Sequence, residues 1–153
     1  MKKIPTLFVR VYENHRIAAV TRNVTEGCDW VIAGDGVATV KFDGSCCAVI
    51  DGKFYKRYDA KKGRKPPVTA IPCCDPDPVT GHWPHWIPVD FDLAADKWFV
   101  RAFENTPSIT DGTYEAIGLH FQGNPYKLRD DVLVRHGVQI IEVDLSLIHI
   151  CPV

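Results

Sequence analysis

The sequence predicts an α+β fold in which antiparallel sheets dominate, and three observations lead to this prediction. Short β-prone runs recur along the 153 residues, with turn residues between them. Long amphipathic helices are scarce. Asp51-Gly52 lies between two of the β-prone runs, and an Asp-Gly pair in that position is a strong signal for a two-residue hairpin. With this pair at the tip, Ile50 is expected to pair with Lys53, and Ala48 with Tyr55.

The individual elements follow from runs of apolar, β-branched and aromatic residues. The predicted strands are, in chain order, Thr6–Tyr12, Val37–Lys41, Cys46–Ile50, Phe54–Tyr58, Trp86–Val89, Trp98–Phe103 and Tyr114–Leu119. A short helical turn is expected around Asp130–Val134, followed by a strand at Val138–Val143. Pro66 to Pro88 is expected to be a long proline-rich connection that is functional or family-specific rather than a domain linker.

Lys41 ends an alternating run, and the Asp-Gly pair Asp43-Gly44 follows it closely. An amine in this position lies where the chain bends sharply and side chains can reach a ligand. Such a lysine can act as a nucleophile if its surroundings remove its proton; the alternative is an exposed lysine beside a turn. In the predicted hairpin Arg57 lies opposite Cys46, near the start of the strand that leaves this turn. A lysine and an arginine converging there suit a phosphate ligand.

Five short blocks of the chain form an ordered series. They are Lys41-Phe-Asp-Gly44, Phe54-Tyr-Lys-Arg-Tyr-Asp59, Thr80-Gly-His-Trp-Pro-His-Trp86, Asp111-Gly-Thr-Tyr-Glu-Ala-Ile-Gly118 and Phe121-Gln-Gly-Asn-Pro-Tyr126. In this order they resemble the blocks of an ATP-dependent RNA ligase of the phage and bacterial type, and the similarity runs from about Lys3 to Gly137. That family belongs to the covalent nucleotidyltransferases, which share their catalytic domain with DNA ligases and mRNA capping enzymes.

The resemblance implies a fold and a reaction. The implied fold is an antiparallel, β-rich, ATP-grasp-like nucleotidyltransferase (ligase adenylation) domain, with ATP held between two sheets. The implied nucleophile is Lys41, which attacks the α-phosphate of ATP and forms a lysyl-adenylate. The adenylyl group then passes to an RNA 5′-phosphate, and an RNA 3′-hydroxyl displaces AMP to seal the strand. Neighbouring cations and partial desolvation are expected to activate the amine, and Mg²⁺ to neutralise the leaving pyrophosphate.

Two further residues receive nucleotide-binding roles from the resemblance. Arg57 matches an arginine that contacts the phosphate or sugar of the nucleotide, and its alternative is a solvated strand cation. Glu115 matches an acidic residue that holds the ribose or organises the metal site, and its alternative is an edge-strand charge. Because Glu115 shares a face with Thr113 and Ile117, a half-buried carboxylate with a polar partner is expected. Asp43 is expected to stabilise the turn.

The chain departs from the family pattern in two places. Leu119-His120 follows Gly118, where similar proteins commonly show a proline and a lysine. After Gly137 there is no glutamate-glycine strand followed by a strand of alternating lysines, which in such ligases grip the metal and the α-phosphate.

The last residues suggest a reason for the second departure. Leu145-Ser-Leu-Ile-His-Ile150 looks like one reading frame of a sequencing-library adapter; the alternative is an ordinary apolar strand. We therefore expect residues 1–144 to be the N-terminal part of an adenylyltransferase domain that is incomplete at its C-terminus. Residues 145–153 are expected to be a non-native read-through tail.

Composition narrows the possible partners. The net charge is −1, from 18 basic and 19 acidic side chains, so no global field indicates nucleic acid. A local basic block with interleaved tyrosines, from Lys53 to Lys65, is either a solvated loop or an RNA-backbone contact. No run reaches the roughly 18 apolar residues of a membrane span. The N-terminus does not resemble a secretory signal, and six cysteines without a disulfide pattern favour a reduced, cytoplasmic protein.

The proline-rich connection contains residue types that bind metals and bases. Cys73, Cys74, His82 and His85 lack the two-residue gap between thiolates that zinc motifs use, so no metal ligands are assigned from the sequence. Trp83 and Trp86 either stack a base or pack the loop onto the core.

Three functions follow from these observations. The leading one is an ATP-dependent RNA ligase, with ATP and Mg²⁺ as cofactors and RNA ends as substrates. The second is another lysyl-nucleotide transferase, a DNA ligase or a capping guanylyltransferase. The third is a non-catalytic nucleotide- or RNA-binding fragment. The oligomeric state is not predicted.

Overall fold

The computed structural model describes residues 4–14, 16–60, 65–77 and 81–143. It divides the chain into two compact units. The described part of one unit lies within Lys41–Val138; the described part of the other consists of 4–14, 16–40 and 139–143. The fold is a small α+β fold with antiparallel sheets and few helices, as the sequence predicts. The expected tail, Leu145 to Val153, lies outside the described residues, as do parts of the basic block at 61–64.

The elements are short and follow one another closely. The strands are β1 (Phe8–Glu13), β2 (Arg16–Val24), β3 (Ser45–Ile50), β4 (Lys53–Asp59), β5 (Ile71–Pro72), β6 (Pro84–Pro88), β7 (Gly112–Ile117) and β8 (Val132–Arg135). The helices are α1 (Asp29–Ile32), a 3-10 turn (Ala94–Asp96) and α2 (Lys97–Glu104). None of the helices in the described ranges has the length and apolar character needed to span a bilayer.

The larger unit is built on a six-stranded sheet with the strand order β5-β6-β4-β3-β7-β8, and every neighbouring pair is antiparallel. The hairpin between β3 and β4 is confirmed, because Ile50 pairs with Lys53 and Ala48 with Tyr55. Its tip, Asp51-Gly52, has φ values of 50° and 70°. A type I′ turn needs positive φ at both central residues, and Asp-Gly supplies them at low cost.

One face of this sheet carries the main hydrophobic core. The buried side chains on this side are Cys47, Val49, Phe54, Val89, Ala102, Tyr114, Ala116, Phe121 and Leu133. Phe99 and Phe103 of α2 pack against them, with the ring centroids of Phe54 and Phe103 4.8 Å apart. The other face carries a smaller cluster of Ala48, Tyr55 and Trp86. The candidate site lies on this second face.

The predicted strand Trp98–Phe103 is wrong, because these residues form α2. Phe99, Ala102 and Phe103 all pack into the core, and the spacing i, i+3, i+4 is that of one helix face. A six-residue apolar run with one charge does not distinguish the two periods, and its aromatic content favoured a strand.

Three other sequence predictions also need correction. The helical turn at Asp130–Val134 is wrong, because Val132–Arg135 forms the edge strand β8 and places Leu133 in the core opposite Ala116. The strands predicted at Val37–Lys41 and Val138–Val143 are also wrong. In these segments the structure has only an isolated antiparallel bridge between Thr39 and Ile140.

The smaller unit contains a strand that the sequence did not suggest. β2 pairs with β1 as a two-stranded antiparallel sheet with irregular register. Arg16 and Arg22 flank its short apolar run, Ile17–Val20, and the two alanines in that run have a low strand propensity, so the sequence gives no clear strand pattern.

Candidate functional site

The Lys41-Phe-Asp-Gly44 segment leads into β3 and is held against β7. The backbone N–H of Gly44 donates a hydrogen bond to Oε1 of Glu115, with an N···O distance of 3.1 Å. A Cβ at residue 44 would lie 2.2 Å from the carbonyl oxygen of Ala116 and 2.7 Å from Cγ2 of Ile117. Only glycine fits at this position without displacing β7, so the turn and the strand are fixed to each other.

The Phe121-to-Tyr126 block holds the same turn from another direction. The N–H of Asp43 donates to the hydroxyl oxygen of Tyr126 at 2.6 Å, and the Tyr126 ring meets that of Phe42 edge-on at 5.3 Å. Nε2 of Gln122 donates to the carbonyl oxygen of Gly44 at 3.2 Å. Asp43 thus acts in the turn through its backbone N–H. Blocks that are far apart in the sequence meet at one end of the sheet.

Glu115 is a half-buried carboxylate, as the sequence predicts, and its side chain is 13% exposed. Beyond its bond with Gly44, its Oε2 lies 2.9 Å from Nε2 of His136. Nδ1 of the same imidazole lies 3.0 Å from Oγ1 of Thr113. The chain itself therefore supplies the polar partners that burial of the carboxylate requires. Sequence reasoning missed His136, because one histidine just past a strand carries no spacing signal.

Cys46 lies between Arg57 and Glu115 on the second face of the sheet. The register pairs Cys46 directly with Glu115 on β7, and the neighbouring pair Cys47 and Lys56 brings Arg57 of β4 alongside. Burial raises the pKa of the Cys46 thiol to about 11, with the charge of Glu115 acting in the same direction and Arg57 opposing it. At neutral pH Cys46 is therefore a protonated thiol beside a guanidinium.

Arg57 is partly exposed and already has an acidic partner. Its Nε donates to Oδ1 of Asp59 at 3.0 Å. Burial acts to lower the pKa of Arg57, but the hydrogen bond and charge of Asp59 outweigh it and raise the pKa above its usual value. Arg57 is a permanent cation on the same sheet face as Glu115, with Cys46 between them.

Lys41 is exposed. Within the part of the chain that the structure describes, no hydrogen bond or ion pair joins its side chain to Arg57 or Glu115. The fold therefore brings Glu115 to the Lys41–Gly44 segment and Arg57 to the face of Glu115, but it does not desolvate the amine. Activation of Lys41 would have to come from cations and from the nucleotide.

His120, which stands where the family pattern has a lysine, is tied into the domain. Its Nδ1 lies 2.7 Å from Oδ2 of the fully buried Asp131, and its backbone N–H donates to Oδ1 at 3.0 Å. The imidazole stacks on Trp98, with ring centroids 3.3 Å apart and planes 6° from parallel. This histidine anchors the connection between β7 and β8.

Two side chains of the proline-rich connection, His85 and Trp86, are buried in the structure. His85 is buried, and its Nδ1 lies 2.8 Å from the carbonyl oxygen of Trp83. Trp86 is buried with Ala48 and Tyr55, which fits the expectation that it packs the loop onto the core. Among the described residues, the ligand-type side chains that come together are instead Cys46, Glu115 and His136.

Known proteins add no support to the resemblance. No protein-family model matches the sequence, and no curated protein is significantly similar to it. The likeness to RNA ligases, and the roles of Lys41, Arg57 and Glu115 within it, therefore stay predictions.

The raised pKa of Cys46 has a measurable consequence. At pH 8 about one molecule in a thousand carries the reactive thiolate, so alkylation of Cys46 by iodoacetamide is expected to be slow. The rate should rise about tenfold per pH unit up to pH 10. Peptide mapping after timed alkylation measures it, and the urea-unfolded protein is the control. Alkylation at pH 8 as fast in the folded as in the unfolded protein would contradict this picture of the site.

Proposed function

We propose that this chain performs the chemistry of an ATP-dependent RNA ligase, with Lys41 as the nucleophile and Arg57 and Glu115 as nucleotide-binding residues. The observation that carries the proposal is the bond from the Gly44 N–H to Glu115. It joins the segment of the proposed nucleophile to the carboxylate that the family pattern assigns to the nucleotide. The absence of room for a side chain at residue 44 supports the same arrangement.

In the first step the neutral amine of Lys41 attacks the α-phosphorus of ATP. A P–N bond forms, the bond from that phosphorus to the bridging oxygen breaks, and its electron pair leaves with pyrophosphate. The nitrogen releases one of its two protons to solvent as the P–N bond forms and keeps the other as the phosphoramide N–H. Exposure of Lys41 leaves it accessible to a nucleotide.

In the second step an oxygen of an RNA 5′-phosphate attacks the same phosphorus, the P–N bond breaks, and the leaving nitrogen takes up one proton from solvent to become the neutral lysine amine again. In the third step an RNA 3′-hydroxyl attacks the 5′-phosphate and expels AMP. Each step exchanges one bond to phosphorus for another, so no oxidant or reductant is required. In this proposal Arg57 neutralises phosphate oxygens, and the support for this role is that its guanidinium remains a cation at any working pH.

The donor atoms near Glu115 fit Mg²⁺ poorly as a protein-held ion. Mg²⁺ prefers six oxygen ligands, and the neighbours of this carboxylate are a thiol and an imidazole. When bound, Mg²⁺ neutralises charge on the leaving pyrophosphate.

Incubation with ATP labelled at the α-phosphate and Mg²⁺, followed by denaturing electrophoresis, tests the proposal. We expect a covalent label of low yield, because the sequence after Gly137 lacks the strand of alternating lysines. Lys41→Ala should abolish the label, Lys65→Ala should retain it, and mass spectrometry should place one AMP on the Lys41 peptide. Label from the γ-phosphate, or label that survives Lys41→Ala, would contradict the proposal.

The exposure of Lys41 also means that burial does not activate its amine, and this favours one alternative, a nucleotide- or RNA-binding domain without catalysis. Calorimetric titration with ATP separates the two. Saturable ATP binding without any covalent label supports the alternative, whereas preference for GTP in both assays indicates a capping-type enzyme. If the protein neither binds a nucleotide nor acquires a covalent label, the ligase, the capping-type enzyme and the non-catalytic binding domain are all rejected.

A further inference from the structure

We infer that Cys46, Glu115 and His136 form a binding site for a zinc-class divalent metal ion. The three side chains come from adjacent strands. Cys46 of β3 is the direct cross-strand partner of Glu115 of β7, and His136 follows the end of β8, which pairs with β7. One ligand atom from each residue lies within 4.8 Å of the other two.

The donor set identifies the class of metal. A thiolate, an imidazole nitrogen and a carboxylate oxygen are the ligands of zinc sites, whereas Mg²⁺ and Ca²⁺ select oxygen alone. A tetrahedral site with bonds of about 2.0–2.3 Å holds its donors about 3.5 Å apart. Nε2 of His136 and Oε2 of Glu115 are 2.9 Å apart, at hydrogen-bond distance, so these two donors have to separate by about 0.6 Å to admit an ion. Small rotations of the Cys46 and His136 side chains can bring all three donors to the required spacing. Three protein ligands leave the fourth position to water or a ligand.

The second ring nitrogen of His136 has the partner that a metal-binding imidazole needs. Nδ1 lies 3.0 Å from the hydroxyl oxygen of Thr113. A hydroxyl both donates and accepts, so it can donate to Nδ1 while Nε2–H points at Glu115, or accept from Nδ1–H once Nε2 coordinates. Metal-ligating histidines usually have such a partner, which fixes the tautomer and the ring orientation. Thr113 is thus a positioning residue.

Charge and proton balance are consistent with binding. The ion replaces the proton of the Cys46 thiol, which passes to buffer as the thiolate coordinates. Thiolate and carboxylate together offset the charge of a divalent cation. The charge of Arg57 opposes binding of a cation, but it also favours the thiolate form of Cys46 that binding requires. Oε1 of Glu115 keeps its bond with Gly44, so coordination through Oε2 leaves the turn in place.

The inference is independent of the proposed ligase function, because no nucleotide takes part in the test. The full chain, freed of metal by a chelator, is titrated with Co²⁺ and then with Zn²⁺. We expect a thiolate-to-cobalt band in the near ultraviolet and visible bands of tetrahedral Co²⁺, both removed by one equivalent of Zn²⁺. Cys46→Ser should remove the near-ultraviolet band, and His136→Gln should weaken Co²⁺ binding at least tenfold. Thr113→Val should weaken it about tenfold.

The control is the double variant Cys73→Ser, Cys74→Ser, which removes the thiols of the proline-rich connection and should keep the full spectrum. Circular dichroism checks that each variant folds, and His136→Gln serves where Cys46→Ser does not fold, since His136 is partly exposed. A spectrum lost in the double variant and kept in His136→Gln would overturn the inference. So would the absence of any stoichiometric Co²⁺ spectrum in the unaltered protein.

Discussion

Gly44→Ala is expected to destabilise the larger unit by about 2–3 kcal/mol, the cost of forcing an extra methyl group into a well-packed position. The added Cβ would meet backbone and side-chain atoms of β7, at 2.2 Å from the carbonyl oxygen of Ala116. Backbone in a central strand cannot move aside without breaking ladder hydrogen bonds to β3 and β8. Urea denaturation followed by circular dichroism measures the loss.

Gly52→Ala is the matched control for this substitution. Gly52 has a positive φ of 70°, and a Cβ built there has nothing within 4 Å. Gly52→Ala is therefore expected to lower the stability only through the strain of a left-handed backbone, by about 1 kcal/mol. The difference between the two variants isolates the close approach of the turn to β7. Equal losses of stability in the two variants would show that the close contact between residue 44 and β7 adds nothing to the cost of Gly44→Ala.

The same substitution also bears on function. If β7 and the turn separate, the carboxylate of Glu115 no longer fixes the segment that carries Lys41. Under the proposed function, Gly44→Ala should reduce covalent labelling by α-labelled ATP below that of Gly52→Ala. Labelling is compared at a temperature where both variants remain folded.

The sequence predicts the parts of this fold that depend on local chemistry. Asp51-Gly52 gives the hairpin and its register, because two adjacent positive φ values leave few alternatives. That register correctly places Arg57 beside Cys46. The half-buried state of Glu115 follows from alternation along β7 in the same way.

The parts that depend on distant partners are missed. α2 is misread because its core-facing residues, Phe99, Ala102 and Phe103, are identified only by what they pack against. The edge strand β8 exists because β7 lies next to it, not because four residues form a strand alone. His136 meets Glu115 from 21 residues away, and no spacing motif signals the contact.

Both proposals assign a binding role to the carboxylate of Glu115. Glu115 is the nucleotide-binding residue in the ligase proposal and a metal ligand in the zinc proposal. A zinc ion held by Cys46 and His136 would occupy Oε2 and withdraw it from a ribose or from Mg²⁺. If both proposals hold, Zn²⁺ acts as an inhibitor of adenylate formation, and Cys46 and His136 set the concentration at which it does so.

Lys56→Met is expected to destabilise the larger unit by about 3 kcal/mol, through a contact on the opposite face from the candidate site. The ammonium of Lys56 pairs with Asp96, whose side chain is 1% exposed. Asp96 also accepts the N–H of Asp90 at 3.0 Å, so the carboxylate stays in place when the lysine is removed. Removing one partner of a buried pair costs about 3–5 kcal/mol, because it leaves an uncompensated charge. The low end of this range is expected because the Lys56 side chain is 20% exposed, so that its ammonium is partly solvated even in the folded protein.

A double-mutant cycle with Asp96→Asn separates this loss from simple packing effects. Asparagine removes the charge, keeps an acceptor for Asp90, and so makes the loss of the lysine less costly. The double variant should therefore be more stable than the sum of the two single losses implies, by at least 1 kcal/mol. Lys53→Met, an exposed position on the same strand, is the control and should change stability by less than about 0.5 kcal/mol. Additive losses in the cycle would mean that Lys56 and Asp96 do not stabilise each other, and that β4 and the start of α2 are held together by apolar contacts alone.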